Sequence, residues 1–445
     1  MPIKPMSEED ALRAWAERPP ESVVLVEEGR TIAVSALRLL IRALVEGLRA
    51  SGSSRAAVFS QKPSILAASL LACTEAGCDL LILRERPSGD DQLRSEADVD
   101  AIIQDDLSVR TAGAPRPGRR PAQGAILIPT SGTSGIPKIA RHSLSGLLGR
   151  IRPGRPGSGP ARWLLTYQPY GFAGLQMILT VLVTQAVLVC SNELDLPALS
   201  EAALAQRVTH ISGTPTLWRS LLMCLGGSAR LLPLEQATLG GEVVDQAILD
   251  KIREVFPRAA VSHIYASTEA GSLFSVRDGR AGFPAAWLAK PVDGVCLRIR
   301  EGGLEVFSPR QMLGYIEGRE SPLTADGWLE THDRVVRRGD RVYFLGRDDS
   351  LINVGGAKVA PEEVEAALLD VAGVLDVRAF AVPNPITGFL VGLEIVAAAD
   401  GDEERIRRDI VLAAGLKLEP YKIPRLIRFV NAIPRDAGGK KSRKT

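Results

Sequence analysis

The 445-residue sequence predicts an α/β protein: a large N-terminal α/β domain of several subdomains over residues 1–348, then a small α+β domain over 349–445. Three observations lead there. Apolar, strand-like runs at 56–59 and 79–83 flank a helical stretch at 62–75, the spacing of a βαβ unit in a parallel sheet. Three strand-like runs end in clusters of Gly, Ser, Thr or Glu, at 129–138, 237–242 and 262–271. In open α/β sheets, ligands collect at such C-terminal strand ends. From Gly303 onward the texture changes to short strands and turns. A chain of this length is also too long for one compact core.

Taken in order, residues 34–50 place Leu37, Leu40, Ile41, Leu44, Val45 and Leu48 on one helical face, with Gly52 placed to close the helix. The Pro/Gly/Arg stretches at 113–123 and 152–160 read as loops with solvated arginines. Between them, the apolar run Ala125–Ile128 reads as a buried strand. It is followed by Thr130, Ser131, Gly132, Thr133, Ser134, Gly135, Ile136, Pro137 and Lys138. A loop of that composition can turn N–H groups and hydroxyls toward a polyphosphate, with the lysine as a point charge. It is not a Walker A loop, because Pro137 stands where the second glycine should be. Taken alone, it is equally an ordinary Ser/Gly turn.

Further on, Leu175–Cys190 reads as a buried helix running into a strand, 208–211 as a strand, and Leu217, Leu221 and Leu222 as one helix face. Short strands follow at 304–307, 327–329 and 341–345. Pro361 opens a helix whose early Glu362 and Glu363 suit its N-terminus. The remainder alternates strand (374–382), strand (389–398), helix (403–415) and strand (426–430).

Composition narrows the function classes. Forty-five per cent apolar and 24% charged residues describe an ordinary soluble globular protein, and a formal net charge of +2 points away from nucleic acid as the main partner. Five scattered cysteines without Cys-x-x-Cys spacing fit reduced thiols in a cytoplasmic protein, and four scattered histidines give no zinc pattern. The N-terminus has no apolar signal core. Gln176, Thr180, Thr184 and Gln185 interrupt the longest apolar region, so no transmembrane segment is expected.

Five motifs in order resemble the adenylate-forming superfamily of acyl-CoA synthetases, nonribosomal-peptide adenylation domains and luciferases. They are the 130–138 loop; Tyr265-Ala-Ser-Thr-Glu269; Thr331-His-Asp333; Gly346-Arg347 through Gly356 to Pro361-Glu-Glu-Val-Glu365; and Pro434-Arg-Asp-Ala-Gly-Gly-Lys440. The resemblance runs from about residue 20 to the C-terminus. It implies ATP-dependent activation of a carboxylate as an acyl-adenylate, then displacement of AMP by a thiol or other nucleophile.

Carried over residue by residue, the resemblance puts the β- and γ-phosphates of ATP at 130–135 and Lys138. Glu269 would hold Mg²⁺, and Thr268 would touch the α-phosphate. Gly241, Glu242, Val243, Tyr265, Ala266 and Ser267 would enclose the nucleotide, with Asp333 on the ribose and Arg347 beside it. Lys440 would bridge carboxylate and α-phosphate. Asp349 matches the hinge of a mobile C-terminal domain, and Gly355, Gly356 and Ala357 match the loop that replaces the lysine in the CoA-dependent step. The substrate pocket would be formed by Tyr170, Phe172, Ala173, Gly174, Gly240 and Gly271.

The chain departs from the family pattern at Ala266 and His332, both at usual glycine positions, and at Asn353 and Lys358. Gly171 stands where relatives carry a histidine or an aspartate. A buried ammonium without a partner is costly, so an amino-acid substrate is disfavoured and an aromatic or medium-chain acid is expected. CoA is the expected acceptor, with an acyl carrier protein or an amine as the alternative and a non-catalytic nucleotide-binding homologue as the remaining one. Lys440 and Lys441, read without the motif, would be a frayed basic tail.

Overall fold

The computed structural model describes residues 6–84, 97–113, 122–130, 138–152, 159–316, 323–398, 401–434 and 441, without the side chain of Asp349. Helix 34–51 buries Val34, Leu37, Ile41, Leu44, Val45 and Leu48, and Gly52 ends it in the left-handed region at φ +62°. Each large aliphatic side chain on that stripe contributes about 2 kcal/mol by leaving water. Strands 55–59 and 79–83 pair in parallel across helix 63–76, so the expected βαβ unit is present.

Those strands belong to a seven-stranded sheet in the order 314–315, 138–142, 126–130, 79–83, 55–59, 101–103, 109–111. A second sheet has eight strands, in the order 271–276, 260–267, 236–240, 210–213, 162–164, 187–189, 23–27, 30–33. Its six inner strands are parallel and its two edge strands antiparallel. An antiparallel sheet follows from strands 283–284, 341–347, 329–338, 303–307 and 296–300. The strands after residue 350 form their own sheet around the long hairpin 374–384/388–397. Helices 361–368 and 403–417 pack on it over a core of Val364, Leu368, Val377, Leu393, Ile406 and Ile410.

A buried carboxylate aims the strand that carries the phosphate-loop motif. Asp79 pairs with Arg55 at 3.2 Å, and its other oxygen accepts the N–H groups of Gln123 and Ala125 at 3.0 and 2.9 Å. With its lone pairs used, the buried charge fixes where strand 126–130 begins. Among the described residues, no helix is long and apolar enough to cross a membrane.

Candidate active site

The C-terminal ends of strands 126–130, 236–240 and 260–267 open onto one cleft of about 2730 Å³. Thr130 and Lys138 pair across neighbouring strands and close the base of the loop between them. Residues 131–137, and with them Ser131, Gly132, Thr133, Ser134 and Gly135, lie outside the described residues. The Lys138 ammonium lies 5.2 Å from the centre of the Tyr315 ring. The Tyr315 hydroxyl donates to Glu269 Oε1 at 3.3 Å. Burial first, and then the neighbouring Glu269 charge, push the Tyr315 hydroxyl above the usual phenol range. Tyr315 therefore stands between the cation and the carboxylate of the site, a position that sequence reading missed. It arrives there because strand 314–315 pairs with strand 138–142.

A second group in the same cleft centres on Asp333. The Tyr265 hydroxyl donates to its Oδ2, and Arg347 Nη1 lies 3.9 Å from Oδ1. The Asp333 N–H donates to Thr331 Oγ1 at 3.2 Å, and that hydroxyl donates to the Leu304 carbonyl at 2.7 Å. Tyr265 packs between Phe274 and Phe344, at 5.4 and 4.7 Å between ring centres. Burial, with Asp333 beside it, holds the Tyr265 hydroxyl protonated well above its ordinary range. His332 takes φ +58°, in the left-handed region where glycine is at ease, in keeping with the glycine that the family pattern has there. Histidine tolerates the left-handed region better than most residues, at a cost of about 1 kcal/mol.

Gly241, Glu242, Val243, Ala266, Ser267 and Thr268 line the same cleft. So do Tyr170, Phe172, Ala173, Gly174 and Gly240, together with Trp163 and His210, whose rings meet at 4.8 Å. Gly271 is not among the lining residues. A Cβ there would fall 2.3 Å from the Arg310 carbonyl, so that glycine answers a packing demand. Gly174 lines the cleft, but it too sits where a Cβ would fall 2.2 Å from a carbonyl, that of Gln168.

Behind the wall, His142 is 1% exposed and lies 5.9 Å from Phe172 between ring centres; burial pushes its pKa down to about 4.

The C-terminal elements divide. Gly355 and Gly356, at φ +58° and +90°, make a two-residue hairpin turn of the kind that needs two left-handed residues. Asn353 Oδ1 accepts the Gly356 N–H at 2.9 Å. Neither this turn nor Ala357 lines the cleft, whereas Glu362, Glu365 and Lys441 do. Asp349 lies within the short helical turn 348–350 that follows Arg347. Lys440 lies outside the described residues. Lys441, part of the apparent basic tail, is only 9% exposed.

Residues 82–316 match the family of AMP-binding enzymes, and residues 363–440 match the AMP-binding enzyme C-terminal domain. The chain is 29% identical over 369 residues to the fatty acid–acyl-carrier-protein ligase MmaC of Mycobacterium marinum, covering 73% of this chain and 68% of that protein. It is 26% identical over 340 residues to the human mitochondrial acyl-coenzyme A synthetase ACSM2B, covering 70% of this chain and 58% of that protein. Its fold is similar to that of ATP-bound MatB from Rhodopseudomonas palustris, with a TM-score of 0.78 over 98% of this chain and 97% of MatB, at 20% identity. On the family match across more than half of its length, the chain belongs to the adenylate-forming AMP-binding enzymes.

Proposed function

We propose that this protein activates a carboxylic acid with ATP and passes the acyl group to CoA, the acid being aromatic or medium-chain. The observation that carries the reading is the convergence on a single cleft of two groups, Lys138, Tyr315 and Glu269, and Tyr265, Asp333 and Arg347. That arrangement suits a nucleotide whose phosphates lie toward Lys138 and Glu269 and whose ribose lies toward Asp333.

In the first half-reaction a carboxylate oxygen attacks the α-phosphorus, the α–β bridging P–O bond breaks, and pyrophosphate leaves with the electron pair. Two anions meet, and like unit charges about 4 Å apart repel by roughly 4 kcal/mol at an effective dielectric of 20. Positioned cations lower that barrier. In this reading Lys138 holds the departing phosphates and Lys440 supplies the charge at the forming bond. In the second half-reaction a thiol sulfur attacks the acyl carbon, the carbon–oxygen bond to AMP breaks, and the thiol proton goes to solvent.

Glu269 beside Lys138 and Tyr315, with no group of three His, Cys, Asp or Glu placed to hold a metal ion among the described residues, fits Mg²⁺ held largely by phosphates and water. Bound there, the ion would neutralise phosphate charge.

Trp163, Tyr170, Phe172 and Met177 give the acyl side an aromatic and apolar wall, which supports the substrate class. The likeness to MmaC supports a second reading, with an acyl carrier protein as acceptor.

The test is pyrophosphate release with aryl, short, medium and long acids, with CoA, a phosphopantetheinylated carrier protein, or neither. Release with aryl or medium acids and acyl-CoA formation are expected. Acyl transfer to the carrier alone would move the function to the second reading. Release with amino acids alone would overturn the substrate class, and no release with any acid would leave a nucleotide-binding homologue.

A further inference from the structure

Lys441 joins the two parts of the molecule. Its ammonium is buried on the C-terminal side, 2.8 Å from Asp376 Oδ1 and 3.6 Å from Glu365 Oε2, and it donates to the Val377 carbonyl at 2.6 Å. All three side chains are nine-tenths buried or more. The two carboxylates are themselves held: Asp376 Oδ1 accepts the Val377 N–H, and Glu365 Oε1 accepts the Ala379 N–H. The Lys441 backbone N–H points the other way and donates to Glu242 Oε1 at 3.0 Å. The second oxygen of Glu242 accepts the Thr216 N–H in the first turn of helix 215–225. One residue is thus fastened by its side chain to the C-terminal sheet and by its backbone to the N-terminal cleft.

We infer that Lys441 is a positioning residue for the adenylation half-reaction: it clips the C-terminal sheet, through Asp376, Glu365 and Val377, to Glu242 in the nucleotide cleft. The inference rests on the adenylating function proposed above. The chemistry favours it because a buried ammonium shared by two carboxylates has little freedom, which a solvated tail lysine would keep. The Glu242 contact uses only a backbone N–H, so the Lys441 side chain, held by the C-terminal sheet, is what keeps that N–H at Glu242. The clip also sorts the half-reactions, since the Gly355–Gly356 turn is outside the cleft while Lys441 is in it.

The test uses the full-length protein with Lys441→Met and Lys441→Arg. Carboxylate-dependent ATP–pyrophosphate exchange reports the first half-reaction, and CoA acylation from preformed acyl-adenylate reports the second. Misplacing a reacting group by about 1 Å costs about 10²-fold, so exchange should fall by that order in Lys441→Met and recover in Lys441→Arg, while the second step holds. Equal loss in both steps, or unchanged exchange, would overturn the inference. Amide hydrogen exchange at residue 441, in the unmutated protein and in Glu242→Ala, keeps it testable if Lys441→Met does not fold. Faster exchange in Glu242→Ala supports the clip, and an unchanged rate overturns it. If the unmutated protein activates no acid, the functional reading fails on its own, and the amide measurement still decides the contact.

Discussion

Tyr315 donates its hydroxyl to Glu269 at 3.3 Å while its ring faces the Lys138 ammonium. The phenol thereby orients the carboxylate proposed above to hold Mg²⁺. A hydrogen bond to a charged group is worth about 1.5–3 kcal/mol, or about 10- to 100-fold. Tyr315→Phe should therefore lower pyrophosphate exchange by that order and raise the Mg²⁺ concentration needed for half-maximal rate. An unchanged Mg²⁺ dependence would show that Tyr315 serves packing alone.

Lys440→Ala should abolish carboxylate-dependent exchange and leave use of a preformed acyl-adenylate largely intact. In the proposed reaction the lysine acts where negative charge gathers at the forming P–O bond, and that bond is already made in the adenylate. Exchange at the unmutated rate would remove Lys440 from the chemistry.

Asp349→Pro should separate the two half-reactions in the opposite sense. The residue lies in the turn 348–350, where Ser350 Oγ accepts the Arg347 N–H and donates to the Arg347 carbonyl. Proline fixes φ near −65°, compatible with a helical turn but not with large backbone rearrangement. Exchange should survive and thioester formation should fail. Equal loss of both would place the hinge elsewhere.

Much of this was legible from local pattern. The helix ending at Gly52, the βαβ unit at 55–83 and the polar ends of strands 236–240 and 260–267 all rest on signals within a few residues. Long-range pairing was not legible. Strand 138–142 had no alternating signature of its own and is ordered between strands 126–130 and 314–315. Tyr315 enters the site only through that pairing. Lys441 gave the opposite impression from its true setting, because a lysine among lysines reads as solvated until Asp376 and Glu365 are brought to it by the fold. His332 was legible in part: a glycine position occupied by histidine is one where the backbone turns left-handed.

The last expectation concerns acid stability and follows from His142. Its folded pKa is about 4, against 6.5 for a free imidazole, because burial disfavours the charged ring. Between those values the unfolded chain binds a proton that the folded chain does not, so stability falls as pH drops from 6.5 toward 4. A fall from 6.5 to about 4 corresponds to about 3 kcal/mol, of which about 2 kcal/mol is lost by pH 5. Other groups contribute their own slopes, so the measurement is a difference. Urea midpoints of the unmutated protein and His142→Leu, taken at pH 7 and pH 5, should converge or cross as the pH falls, with the variant losing about 2 kcal/mol less. Parallel losses in the two proteins would mean that His142 takes up its proton as readily in the folded chain as in the unfolded one, and that its burial does not set the acid sensitivity.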